Sequence, residues 1–181
     1  MKLAIIYHVY KNHLTLEESI KSFMKQNDND FEFILVNDGA INKATKVLQK
    51  LDLSKFKHFK YFNFSQNIGH SFSFNTALNT LDADYVYYGG SNTFVKPDFI
   101  KQVKLLLNKH KPDALSIINS QNNKQTQVFV GTDMQFKRHI GQSTRDKIFS
   151  VQLLKTHNIT MDETNYSPLV FIYQVLIHFT K

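Results

Sequence analysis

Phe31-Glu32-Phe33-Ile34-Leu35-Val36-Asn37-Asp38-Gly39-Ala40 is an apolar run that ends abruptly in Asn-Asp-Gly. Read as a strand of an open α/β sheet, it delivers whatever follows it to the carboxyl edge, where such folds bind ligands. Asn37 and Asp38 then present an amide and a carboxylate at that edge, and Gly39 frees the backbone to turn. A plainer reading stands beside this one, a strand-to-helix turn in which Asp38 only caps the next helix. The motif by itself does not separate the two.

The segments on either side extend the pattern. Residues 2–9 read as a buried strand, and Leu14 to Gln26 as an amphipathic helix with Thr15 positioned to cap over Glu18. Asn42 to Leu51 reads as a helix, His58 to Phe64 as a third strand, Ser71 to Leu81 as a helix and Tyr85 to Tyr88 as a fourth strand. Pro97 is expected in the first turn of a helix running to Lys109, where its missing N–H costs little. Ala114 to Asn119 is a fifth strand. Strands alternating with helices at this spacing predict βαβ units and a mostly parallel sheet flanked by helices, an α/β fold in which each of the first four strands runs parallel to a neighbour. Beyond residue 119 the pattern loosens. Val128-Phe129-Val130 reads as a short strand, 132–147 as a mobile loop, and a final helical region is expected from about Ile148 into the apolar tail Pro168 to Phe179.

Composition narrows the function classes. A chain of 181 residues is expected to form one domain with a core of its own. With no cysteine it has no disulfide, thiolate metal site or cysteine nucleophile. Its eight histidines show no ligand spacing, so no metal site is expected from them. His8, at the end of the first strand, and His70, after Gly69, are the two that could face an anionic ligand. No signal peptide is visible, and no apolar run approaches the roughly 20 residues of a membrane span. The expected location is cytoplasmic, with peripheral attachment to the inner face of a membrane left open because the apolar tail could lie on a lipid surface. A net charge of +7 favours anionic partners. The lysines are scattered, so no nucleic acid is expected as partner, and RNA binding stands as a third, weaker reading.

The order of the motifs resembles family 2 glycosyltransferases of the GT-A fold, the Rossmann-like architecture of nucleotide-diphospho-sugar transferases. Ile5-Ile6-Tyr7-His8-Val9-Tyr10-Lys11 resembles that family's first strand and turn, and Leu16 to Phe23 with Gln26 its first helix. Val36-Asn37-Asp38-Gly39-Ala40 is similar to V-D-D-G-S, and Asn67-Ile68-Gly69 with Asn75 to its N-x-G…N segment. Tyr85 to Tyr88, leading to Pro97-Asp98-Phe99-Ile100, is similar to the elements flanking its D-x-D. Lys147-Ile148-Phe149 through Leu153-Leu154, then Ile159 to Glu163, resembles its later run. The resemblance implies a GT-A-like domain over 1–181, with 1–119 as the nucleotide-binding half and 120–181 as a shortened acceptor-side half. It implies that Tyr10 lies against the nucleobase, that Asp38 accepts the uracil N–H, and that Gly39, Asn67, Gly69, Gly90, Ser91 and Asn92 approach the nucleotide. Asn75 reads better as a helix residue satisfying the backbone of a neighbouring loop.

Two departures from the family pattern bear on the chemistry. The family's D-x-D falls on Gly90-Ser91-Asn92, and a frequent further acid on Thr93. Hard cations need charged oxygen ligands, so no cofactor is expected, and Mn²⁺ or Mg²⁺ binding should be weak or absent. Asp82-Ala83-Asp84 is a literal D-x-D, but it precedes the strand and reads as a solvated turn at the wrong edge. The family's base position falls near Ser167-Pro168, with no acid; Asp162 and Glu163 are the weak catalytic candidates. Replacement cations by sequence are Lys96, Lys137, Arg138 and His139. The reading is a domain binding a nucleotide sugar, UDP-linked, with hexosyltransferase-type transfer to a glycan or surface-polymer acceptor. The alternative is an inactive relative serving as a binding or scaffold subunit in polysaccharide biosynthesis, with a protein or membrane-surface partner.

Overall fold

Side-chain parity along the strands builds the two cores of this fold. The computed structural model describes residues 1–11, 14–40, 43–119, 126–130, 144, 147–164 and 168–179. β1 (Leu3–Val9) and β2 (Glu32–Asp38) are apolar at most positions and buried nearly throughout, as strands covered on both faces must be. Successive side chains of a strand point to opposite faces. Leu3, Ile5, Tyr7 and Val9 therefore enter one layer with Phe33 and Leu35, while Ala4 and Ile6 enter the other with Ile34 and Val36.

The helices divide the same way. α1 (Leu16–Met24), α2 (Lys43–Lys50) and α4 (Phe99–His110) give Ile20, Phe23, Leu48, Val103 and Leu107 to the first layer. α3 (His70–Asn79), α5 (Val151–Thr156) and α6 (Pro168–Ile177) give Phe74, Leu78, Leu154, Phe171 and Val175 to the second. Each such side chain contributes about 1.5–3 kcal/mol on burial, so the two layers dominate the stabilisation. In the first layer Phe33 and Phe56 stack with ring centroids 4.0 Å apart.

Among the described residues seven strands form one sheet in the order β3-β2-β1-β4-β7-β5-β6, with β3 at His58–Phe64, β4 at Tyr85–Gly90, β5 at Ala114–Asn119, β6 at Thr126–Val130 and β7 at Lys147–Ser150. The β1–β2, β2–β3 and β1–β4 pairs are parallel, as the crossover helices require. β3, at the edge, carries only exposed and half-buried residues. The chain builds outward from β1 through β2 to β3, then returns to place β4 on the other side of β1. The strand order therefore reverses between β1 and β4, and open α/β sheets bind ligands at the carboxyl ends of such a pair.

Several local expectations are corrected. Ile148 and Phe149 are not helical: β7 is a strand, antiparallel to both β4 and β5, and the helix starts only at Val151, where Ser150 Oγ accepts the Leu153 N–H at 3.2 Å. Four residues are too few to show a period, and the slot between two strands with unpaired backbone groups decides the conformation. Pro97 lies outside the first turn, since α4 opens at Phe99 after Asp98. Thr15 makes no side-chain cap on α1; its hydroxyl is drawn instead to β4's end. The short strand around Val128–Val130 is present as β6. The 132–147 segment lies outside the described residues except for Thr144 and Lys147, and so do Lys137, Arg138, His139 and Ser167.

Candidate functional site

A cavity of about 430 Å³ opens at the carboxyl ends of β1, β2 and β4, at the order reversal. Its lining brings together Tyr10, Asp38, Asn67, Gly69 and Gly90 to Asn92, residues that the sequence reading had singled out from four separate segments. A larger cavity, about 770 Å³, lies at the amino end of the sheet beside Asp82, Asp84 and Lys155. There Asp82 pairs with Lys2 at 2.6 Å and is 91% exposed, with Lys2 holding its carboxyl below the usual range. The Asp84 carboxylate accepts the Lys2 backbone N–H at 2.6 Å. The literal D-x-D is thus a solvated turn away from the switch point.

The turn after β2 is built around a glycine whose position has no room for a side chain. Gly39 has φ +63°, and a Cβ there would stand 2.3 Å from the Gln66 carbonyl carbon and 2.4 Å from the Asn67 nitrogen. The close approach seats the 65–69 loop on the end of β2. Asn37 belongs to the turn itself: its Oδ1 accepts the Ala40 N–H at 3.0 Å and its Nδ2 donates to Asn63 on β3 at 2.8 Å.

Asp38, 1% exposed, is clamped from two sides. One carboxylate oxygen accepts the Ile68 N–H at 2.7 Å; the other lies 3.0 Å from His8 Nε2. Its partners are thus the 65–69 loop and β1, which fixes the carboxylate in the cavity wall. Within the loop, Asn67 Oδ1 accepts the Gly69 N–H at 2.8 Å. Gly69 then turns with φ +95° into open space and starts α3. Tyr10, half-buried at the rim, carries the Lys11 ammonium 5.1 Å from its ring centroid.

The end of β4 is tied to α1 by hydroxyls that the sequence reading did not connect to the site. Thr15 Oγ1 lies 2.7 Å from the Ser91 carbonyl and 2.6 Å from Asn92 Oδ1. The buried Tyr7 hydroxyl donates to Ser19 Oγ at 2.6 Å, and Ser19 in turn reaches the Gly90 and Thr93 carbonyls. Burial pushes the Tyr7 phenol well above its ordinary pKa, so it stays a donor. Thr93 closes the turn, accepting the Gly90 N–H at 3.0 Å. The donor set here is a glycine, a serine and an amide. The 90–92 segment itself holds no carboxylate for a hard divalent cation, and among the described residues no group of three or more His, Asp or Glu could hold a metal. The residues present do not fit a carboxylate-held metal at this position.

Asn75 behaves as its helix setting suggests. It exchanges two hydrogen bonds of 2.9 Å with the Met161 backbone and donates to Glu163 at 2.9 Å. Asp162 accepts from the Thr164 N–H and hydroxyl. Neither Asp162 nor Glu163 is among the residues lining the cavity, and neither is Lys96. His8 and His70 do line it, their rings edge-on with centroids 5.1 Å apart.

Comparison with known proteins agrees with this architecture. S. aureus TarS (residues 1–349) superposes with a TM-score of 0.81 at 20% identity, over 100% of this chain and 57% of that one. The same protein in complex with UDP gives 0.82 at 18% identity, over 100% and 56%. A mannosyltransferase from Pyrobaculum calidifontis, in complex with GDP-Man and Mn²⁺, gives 0.68 at 12% identity, over 89% and 47%. By sequence, the cholesterol galactosyltransferase of Borreliella burgdorferi is 22% identical, over 99% of this chain and 56% of that protein. An uncharacterised glycosyltransferase of Haemophilus influenzae is 28% identical over 109 residues, 60% and 43% of the two chains. The chain spans about half the length of these relatives. The model of glycosyl transferase family 2 matches residues 4–162, so the α/β sheet, its switch-point cavity and the motifs that line it belong to a member of that family.

Proposed function

We propose that this domain binds a UDP-linked sugar in the switch-point cavity and transfers the sugar to a glycan or surface-polymer acceptor. The observation that carries the reading is Asp38, a carboxylate held in the cavity wall at the carboxyl end of β2, with Tyr10 at the rim beside it. A fixed carboxylate can accept the uracil imino N–H, and an aromatic face suits a base. The reading is supported by the UDP and UDP-GlcNAc complexes of TarS and by similarity to a teichoic acid poly(glycerol phosphate) polymerase of Staphylococcus epidermidis, 26% identical over 48% of this chain and 12% of that one. In this reading 1–119 holds the nucleotide and 120–181 faces the acceptor, and divalent metal contributes little to affinity.

A second reading, a binding or scaffold subunit that does not catalyse transfer, is favoured by one observation. Glu163 is engaged with Asn75 and Asp162 with Thr164, and neither lines the cavity as a base would. No helix among the described residues is long and apolar enough to cross a membrane. The two readings share the nucleotide site and differ in turnover. Thermal shifts with UDP, UDP-GlcNAc, GDP-mannose and ATP test the site, and release of UDP from a UDP-sugar, with and without acceptor, tests transfer. Equal shifts with all nucleotides would overturn both.

A further inference from the structure

We propose that the imidazoles of His8 and His70 form the cation site for the diphosphate of the bound nucleotide, in the place where a carboxylate-held metal would otherwise stand. The proposal rests on the nucleotide reading above. It starts from a mismatch: the reading above places a nucleotide in the switch-point cavity, yet the 90–92 segment that lines it offers no charged oxygen for a divalent ion. A diphosphate brought into a water-poor cleft needs compensating positive charge or donors. The side chains placed to give it are two histidines on different elements. His8 ends β1, and His70 is the first residue of α3.

Strand parity puts them together. His8, Asp38 and Tyr88 occupy even positions on neighbouring strands, the parity that faces α3. The two rings meet edge-on at 5.1 Å, and His70 in turn meets the Tyr88 ring edge-on at 4.7 Å. Asp38 holds His8 through Nε2 at 3.0 Å, which fixes the ring's orientation. The β4 end passes close by: a Cβ built on Gly90 would lie 3.2 Å from the His8 carbonyl oxygen. Gly89 and Gly90 line the same cavity as the two histidines. Among the described residues, the titratable or charged groups facing this pair are Asp38 from β2, the Tyr88 phenol from β4, and Tyr10 and Lys11 just past β1. Lys11, which lines the same cavity, holds its ammonium 5.1 Å from the Tyr10 ring centroid.

Histidine is the side chain whose charge changes near neutral pH, so this cation site predicts a signature that neither a metal nor a lysine would give. Titration calorimetry of uridine, UMP and UDP at pH 6 and pH 8, with and without Mn²⁺, reads it directly. The gain in affinity from uridine to UDP should be roughly tenfold larger at pH 6 than at pH 8, and unchanged by Mn²⁺. His8→Gln and His70→Gln should each shrink that gain and flatten its pH dependence, and His70→Gln should leave uridine binding in place. A measurement on the unsubstituted protein stands beside the variants: at pH 7, UDP should bind with proton uptake, seen as a heat that varies with buffer ionisation enthalpy, and uridine without it. A UDP gain that is independent of pH, that survives both substitutions or that requires Mn²⁺ would overturn the proposal while leaving the nucleotide site intact. Failure of all three ligands to bind would overturn the nucleotide reading and this proposal with it.

Discussion

His8 Nε2 and Asp38 Oδ2 lie 3.0 Å apart at the carboxyl ends of adjacent parallel strands, with the Asp38 side chain 1% exposed in the cavity wall and the His8 ring edge-on to that of His70. The carboxylate also accepts the Ile68 N–H. One side chain thus sets both a ring in the cavity and the loop that closes it, and its substitution should have two separable effects.

Asp38→Ala should cost about 1–3 kcal/mol of stability, because it leaves the part-buried Ile68 N–H without its acceptor. The variant should also lose any preference of the protein for uridine over adenine and guanine nucleotides. Asp38→Asn, which keeps an acceptor for Ile68, should retain most of the stability. Urea denaturation and a nucleotide thermal-shift panel on the two variants separate the effects.

The two positive-φ glycines of the site should respond unequally to alanine. Gly69→Ala meets only the backbone penalty of its φ, about 1–3 kcal/mol, since nothing lies within 4 Å of the added carbon. Gly39→Ala adds a collision with the Gln66–Asn67 backbone at 2.3 Å and should be the more damaging of the pair. Chemical denaturation midpoints give the order, and equal midpoints would contradict the close packing of the loop on β2.

Asn75→Ala should destabilise the fold by about 2–3 kcal/mol through loss of its bonds to Met161 and Glu163. Nucleotide affinity measured below the melting transition should hardly change. A selective loss of UDP binding in a stably folded variant would move Asn75 from the scaffold into the ligand site.

Calorimetry of UDP with and without Mn²⁺ should show little metal dependence in the natural protein. The double variant Gly90→Asp, Asn92→Asp should acquire it, since it supplies two carboxylates at the end of β4. The Gly90 position tolerates a Cβ only tightly, 3.2 Å from the His8 carbonyl oxygen, so a modest loss of stability should accompany the gain. Strong Mn²⁺ dependence without the substitutions would point to an acid that the 90–92 segment does not contain.

The sequence by itself determined the alternation of strands and helices, because buried parallel strands such as Ile34–Val36 and amphipathic helices such as Leu16–Phe23 carry their periods in a few consecutive residues. It also marked Asp38 and Gly39 through the turn chemistry that ends an apolar strand, while Asn67 and Gly69 were marked only by the resemblance to family 2. It read Asn75 as a helix residue satisfying the backbone of some neighbouring loop, and Asp82 and Asp84 as a solvated turn ahead of a strand, both from place along an element; that the loop is the one holding Met161 came from the structure. The tertiary structure alone decided which of these meet. Whether Ile148 and Phe149 join a helix or a strand depended on the unpaired edges of β4 and β5, 60 or so and 30 or so residues earlier in the chain. The turn of Thr15 from α1's cap to Asn92, and the pairing of His8 with Asp38 and His70, required β4 to return beside β1. No local period encodes that return. It is fixed by the burial of both sheet faces at once, and the contacts that make the site appear only when that order is reached.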